Sequence, residues 1–350
     1  TSAGSAPAGA NLSILNGIRG NPTTADLTLT MGTGANTLTL AGGQTTDRMG
    51  TLTIIQGGAS LVLGSTSLGS GLNLGFTESL TLPTSATLQG GPINLLVEGA
   101  GNSLTVQNLT GAQALSLTTT GANGAINAGL LNVQALTVSA GPGGVVTLQD
   151  VTAVSGVTMA ADTFVLNGTV TATAGNVSVT KATLSSPMVL GSGGDLNAAA
   201  LLRLQAPAGE VILGTGTTGG IQLVSPINLA SSGTLNYALN GSAGGVSFSG
   251  AGPVLTLPSN GSLRISAGTG AVTGSGTTAV AGANVSLSID SAASVNLLTD
   301  IGLYGPVNTA AANGGITLVN AGSVTINGAF NAGTGNVLVR NLSGNLTLAS

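Results

Sequence analysis

Ten carboxylates and six cations are the side chains of this 350-residue chain that carry charge at neutral pH. The acids are Asp26, Asp47, Glu78, Glu98, Asp150, Asp162, Asp195, Glu210, Asp290 and Asp300; the cations are Arg19, Arg48, Lys181, Arg203, Arg264 and Arg340. Two carboxylates held about 5–10 Å apart could cleave a glycosidic bond, one as acid and the other as base or nucleophile. Sequence spacing singles out no such pair, because residues distant in the chain can become neighbours in the fold. Sites of that kind also normally add Arg, Lys, His or aromatic platforms for the sugar, and this chain has few of them. His and Cys are both absent, which removes imidazole acid–base chemistry, thiol nucleophiles, disulfides and N/S zinc sites together. No catalytic, cofactor-binding or metal-binding residue is assigned, and the expectation is a protein that is not an enzyme.

Three short motifs have weak chemical meaning. GTGTTG, from Gly214 to Gly219, matches the dinucleotide pattern G-x-G-x-x-G. That pattern has meaning only between a strand and a helix, and 58 glycines make chance matches expected. GSGGDLN, from Gly191 to Asn197, resembles one copy of a calcium-binding repeat. Calcium takes six to eight oxygen ligands, so one copy reads as a turn with a solvated Asp195. Threonine pairs such as Thr28/Thr30, Thr118/Thr120 and Thr169/Thr171 would suit an ice-binding face if they recurred on every coil. The polar position instead varies among Ser, Thr, Asn and Gln. The six cations are scattered singly, without the cluster that displaces counterions from phosphates, so no nucleic-acid partner is expected.

The elements that position these residues come from composition. Charged residues are 5% of the chain, against roughly 25% in an ordinary soluble protein. Hydrophobic residues reach 42% but aromatics only 2%, so apolar content means Val, Leu, Ile and Ala. The densest apolar stretch, Ala198 to Leu202, is broken by Arg203. A spanning helix needs about 20 apolar residues in a row, and no membrane span is expected. The apolar residues occur instead as a refrain: GNVSV from Gly175, GGIQL from Gly219, GGVSF from Gly244, GGITL from Gly314, GNVLV from Gly335 and GNLTL from Gly344. Looser aliphatic–Thr/Ser–aliphatic copies run through the first half, at Leu27, Leu38, Leu52, Leu80, Leu104, Leu115 and Leu136.

Aliphatic–polar–aliphatic alternation is the period of a strand with one face in and one out. Strands this short are not stable as isolated hairpins. Gly and Asn tolerate positive φ and allow a corner every few residues. Coiling the chain stacks each strand on its equivalent at about 4.8 Å, so the expected fold is all-β, a parallel β-helix. Coils of about 20–30 residues give about 12–17 turns and a rod some 60–80 Å long. Residues 1–20 read as an irregular lead-in and residues 21–350 as a single β-solenoid. Val177, Val179, Ile316, Leu318, Val337 and Val339 should be buried, with Ser178 and Thr317 outside. DLNAAALLRLQA, Asp195 to Ala206, is the one helical suspect and is read as a coil with an alanine-filled corner.

The segment GGITLVNAGSVTINGAFNAGTGNVLV resembles the repeats of filamentous-haemagglutinin-type exoproteins, secreted by two-partner pathways, and of related autotransporter passengers. The likeness is clearest over Gly219 to Ser350. It implies a right-handed β-helix projecting from a bacterial surface as an adhesin or filament. The chain departs from that style in carrying less charge and in showing no secretion-recognition domain at its start.

Thr1 is preceded by neither Met nor signal peptide, so the chain is read as processed or as a fragment. It closes on GNLTLAS, in mid-repeat and without a polar cap. The resulting expectation is an extracellular structural or adhesive protein, at a cell surface or in a filament, contacting copies of itself or further repeats, with host or matrix polysaccharide as a further partner. Leu12, Ile14, Leu15, Leu346 and Leu348 are the expected assembly contacts. The alternatives are a non-assembling stalk of a larger adhesin or toxin-presenting exoprotein and, further off, a carbohydrate-active β-helix or an ice-binding solenoid. No cofactor is expected.

Overall fold

The computed structural model describes residues 79–82, 85–89, 91–214 and 219–349. It also gives the backbone of six earlier strands: Leu12–Ile14, Leu27–Met31, Thr37–Leu40, Leu52–Gln56, Ser60–Gly64 and Leu72–Phe76. The chain forms two compact units, Thr1–Thr171 and Ala172–Ser350, each a parallel β-solenoid, with about 12 turns in all.

Among the described residues of the first unit, each coil has three strand-bearing faces. One face stacks Leu80–Leu82, Ser103–Val106, Ala125–Ala128, Val145–Leu148 and Thr163–Leu166, all parallel. Leu104 pairs with Ile126, Ile126 with Val146 and Val146 with Phe164. These steps of about 20 residues match the coil length that the refrain predicts. The other two faces carry separate strands in the earlier described coils, Ala86–Gln89 with Ile93–Val97 and Leu109–Thr110 with Ala114–Thr119, and single strands that turn the corner without breaking in the next two. Leu131–Ser139 and Val151–Ala160 each serve both faces, and their register shifts between Val133 and Ala135 where the chain bends.

Alternation sorts the side chains as expected. Leu115, Leu117, Leu136, Val138, Val157 and Met159 all line the lumen at 2% exposure or less, while Thr137 and Thr158 between them face out. The lumen is filled mostly by aliphatics, with Phe164 among the few aromatic side chains buried in it.

The second unit has longer and less even coils. Tyr237 pairs with Leu263, and Leu263 with Leu287; later, Val295 pairs with Ile316 and Ile316 with Val337. The largest step runs from Val177 to Val211. It accommodates a feature that differs from the sequence reading: Ala198–Arg203 is a helix and not an alanine-filled corner. Asn197 caps it, its Oδ1 accepting from Ala200 N at 2.9 Å, and alanines with leucine favour helix wherever no partner strand is in reach. Ala200 and Leu201 are its buried residues.

Glycine has a second role besides the corner. Gly121 and Gly314 do not have positive φ. A Cβ at Gly121 would lie 1.9 Å from Gly99 O, and one at Gly314 only 1.6 Å from Ala293 O. Adjacent coils thus touch backbone to backbone at these corners, and no side chain fits. The positive-φ corners are shared with asparagine, at Asn123, Asn260, Asn284 and Asn313, which tolerates the left-handed region better than other side chains do.

Candidate functional site

The last described coil of the second unit is built like an interior coil. Val337–Asn341 pairs with Ile316–Asn320, and Leu346–Leu348 pairs with Val324–Ile326. Ile316 and Leu318 are fully buried, yet their partners are not: Val337 is 47% exposed and Val339 half-buried. This corrects the expectation that both valines lie inside. A lumen side chain is covered by the coil before it and the coil after it, and among the described residues no coil stacks on these. Val177 and Val179, paired with Val211 and Leu213 of the following coil, are buried as expected, with Ser178 and Thr317 half-exposed.

Leu346 and Leu348 lie on this same face, 43% and 73% exposed. Leu342, at 52%, joins them at the edge. Of the remaining expected contacts, Leu12 and Ile14 lie in a strand whose backbone pairs with Thr37–Leu40, Leu12 opposite Leu38 and Ile14 opposite Leu40. Leu15 lies outside the described residues.

A polar ladder runs beside the apolar one. Asn320, fully buried, accepts at Oδ1 from Thr299 Oγ1 (2.9 Å) and Ile301 N (3.1 Å), and donates from Nδ2 to Ile301 O (3.2 Å) and Gly322 O (2.9 Å). Asn341 sits directly over it in register and repeats part of the pattern, donating from Nδ2 to Ser343 O at 2.7 Å. Its Oδ1 is buried without a partner. Thr299 also bonds Tyr304 Oη at 2.5 Å. Burial raises the Tyr304 phenol to about 12, and the bond to Thr299 opposes that rise.

The charged side chains assemble into two clusters that their sequence spacing hides. Glu210, Arg264 and Asp290 meet on the outer face of the second unit. Arg264 spans from Glu210 (Nη2–Oε2 2.6 Å, Nε–Oε1 3.3 Å) to Asp290 (Nη1–Oδ2 3.1 Å). Its register neighbour Ala238 is 3% exposed on an outward position, as expected if the arginine stem lies across it. Hydrogen bonds to Glu210 and then Asp290 raise the guanidinium pKa further. A glycoside-cleaving site needs two carboxylates flanking the scissile bond, but here one guanidinium hydrogen-bonds both of them. Such a group holds coils together; it offers no free proton donor.

The second cluster corrects the reading of GSGGDLN. Asp195 is not solvated: its Oδ1 pairs with Lys181 Nζ at 2.9 Å, and its Oδ2 accepts from Val189 N at 2.7 Å. The two side chains are only 11% and 15% exposed. The interior of GTGTTG lies outside the described residues, as do Asp26, Asp47, Glu78, Arg19 and Arg48.

A recess of about 390 Å³ opens at one corner of the second unit, lined by Gly282, Ala283, Asn284, Asp300, Ile301, Gly302, Gly322 and Ser323. Among the described residues there is no group of three or more His, Cys, Asp or Glu side chains that could hold a metal. No described helix is long and apolar enough to cross a membrane. Comparison of the chain with protein-family models, with curated proteins and with solved structures gives no match.

Proposed function

We propose that this is an exported, extracellular structural and adhesive protein whose β-helical coils associate with further coils of the same kind, in a second copy of the chain, to build a surface filament. The observation that carries this reading is the in-register parallel stacking of similar coils, in which apolar lumen residues and a polar ladder continue from one coil to the next. The edge of such a coil is a template for strand pairing, and what fits it best is another coil. Low charge supports close association, since repulsion between copies is weak at a net charge of −4. The absence of cysteine suits export without crosslinking. On this reading the protein acts through shape and surface, without catalysis, cofactor or metal.

The test uses the purified 350-residue chain and electron microscopy with light scattering over a range of concentrations. Periodic filaments are expected, and Leu346→Asp with Leu348→Asp should abolish them while circular dichroism stays unchanged. Deletion of residues 1–20 tests whether the Leu12–Leu15 segment forms the other half of the contact. A monodisperse monomer at high concentration would refute self-association. The second reading, a stalk of a larger exoprotein, follows if the native gene product proves several times heavier than 33.2 kDa.

A further inference from the structure

We infer that the corner recess around Asp300 is a binding site for one residue of a neutral, hydroxyl-rich polysaccharide. Three consecutive coils form it, and each contributes a glycine: Gly282, Gly302 and Gly322. These three are not alike. A Cβ at Gly302 would lie 2.9 Å from Asn284 Cα, so that glycine is required by packing. At Gly322 the only atom within 4 Å of a Cβ is Asp300 Oδ1, at 3.1 Å. Gly322 is therefore not needed for coil contact, and its effect is to keep the floor of the recess open next to a carboxylate.

The polar groups around that floor are unsaturated in a complementary way. Asp300 is exposed, and unlike Asp195, Glu210 and Asp290 it pairs with no cation among the described residues. Asn284 donates from Nδ2 to Asn260 Oδ1 at 3.3 Å, which leaves its amide oxygen to accept. Ser323 Oγ already accepts from Asn345 N at 3.0 Å, and its hydroxyl retains a proton to donate. A carboxylate and an amide oxygen that accept, beside a hydroxyl that donates, match the vicinal hydroxyls of a sugar. The volume is at the small end of ligand sites, enough for a single ring and open for the chain to continue along the corner.

Charge selects among sugars. Asp300, a carboxylate at the floor of the recess, would repel a uronate or sulfated polymer. No cation lines the recess to offset this.

This inference gives a ligand to the adhesive part of the proposed function, and its test is independent of assembly. Affinity electrophoresis and saturation-transfer NMR of the full chain would use laminarin, dextran and galactomannan as neutral probes. Polygalacturonate and oligolysine serve as anionic and cationic controls. At least one neutral polymer is expected to bind. Gly322→Val should fill the recess and Asp300→Ala remove its main acceptor, each weakening binding at least tenfold with unfolding midpoints unchanged. Leu348→Asp should impair filaments and leave binding intact. Binding of none of the neutral probes, preference for either control, or full binding by Gly322→Val would overturn the assignment.

Discussion

Replacing Leu318 by alanine tests the central physical claim, that stability is held in lumen ladders only one side chain wide. Leu318 is fully buried and lies in register between Leu297, itself 2% exposed, and Val339, which is half-buried. Leucine-to-alanine changes in cores cost about 2–5 kcal/mol, depending on how far the site can collapse. On the Leu297 side the stack is closed and cannot relax, while on the Val339 side it is open to adjustment, so a value near the middle, about 3 kcal/mol, is expected. In a solenoid that loss stays with the coil and its neighbours. Hydrogen exchange followed by mass spectrometry should show amides of Val295–Asp300, Ile316–Asn320 and Val337–Asn341 exchanging about 100-fold faster, at 1.4 kcal/mol per decade. Amides around Leu104 and Ile126 should be unaffected. The control is Leu338→Ala, in the next coil but 53% exposed, with an expected effect within about 0.5 kcal/mol. Equal losses from the two variants would refute the ladder reasoning, as would a uniform loss of protection through both units.

Alkali gives a second test through Tyr304, whose pKa burial raises from 10.0 to about 12. The folded state keeps its proton where the unfolded state loses it, so this contribution to stability is intact below pH 10 and falls between pH 10 and about 12, by up to about 3 kcal/mol; Tyr304→Phe should reduce that slope in pH-dependent denaturant titrations, leaving the part due to Tyr237, whose phenol burial also raises. Lys181→Met leaves Asp195 part-buried without its cation and should cost about 2–3 kcal/mol in urea unfolding, less than a fully buried pair because both side chains retain some solvent contact. The double variant with Asp195→Asn should recover part of that loss. Arg264→Gln breaks an ion-pair cluster whose arginine is 44% exposed, and a thermal scan should register less than about 1 kcal/mol, with little further change in high salt.

Much of the coil was legible in the sequence because its cause is local. The alternation in NVSV and ITLV puts Val177, Val179, Ile316 and Leu318 on one side of a strand whatever that strand packs against, and frequent Gly and Asn leave room only for short strands and tight corners. Burial at Val337 and Val339 was not legible, because alternation fixes which way a side chain points and not whether a neighbouring coil covers it. The helix at Ala198–Arg203 was ambiguous for a similar reason: its residues suit a helix or a packed corner, and the availability of a partner strand decides. The charged clusters were the least accessible to sequence reasoning. Glu210 and Arg264 are 54 residues apart in the chain, and only the coil pitch brings them within 2.6 Å. Asp195 looked like a solvated turn residue until the fold placed Lys181 Nζ 2.9 Å away. Local chemistry, then, determined the alternation, the corners and the absence of histidine and cysteine; the register between distant coils, which no local pattern encodes, decided which charges meet and where Asp300 stands beside an open floor.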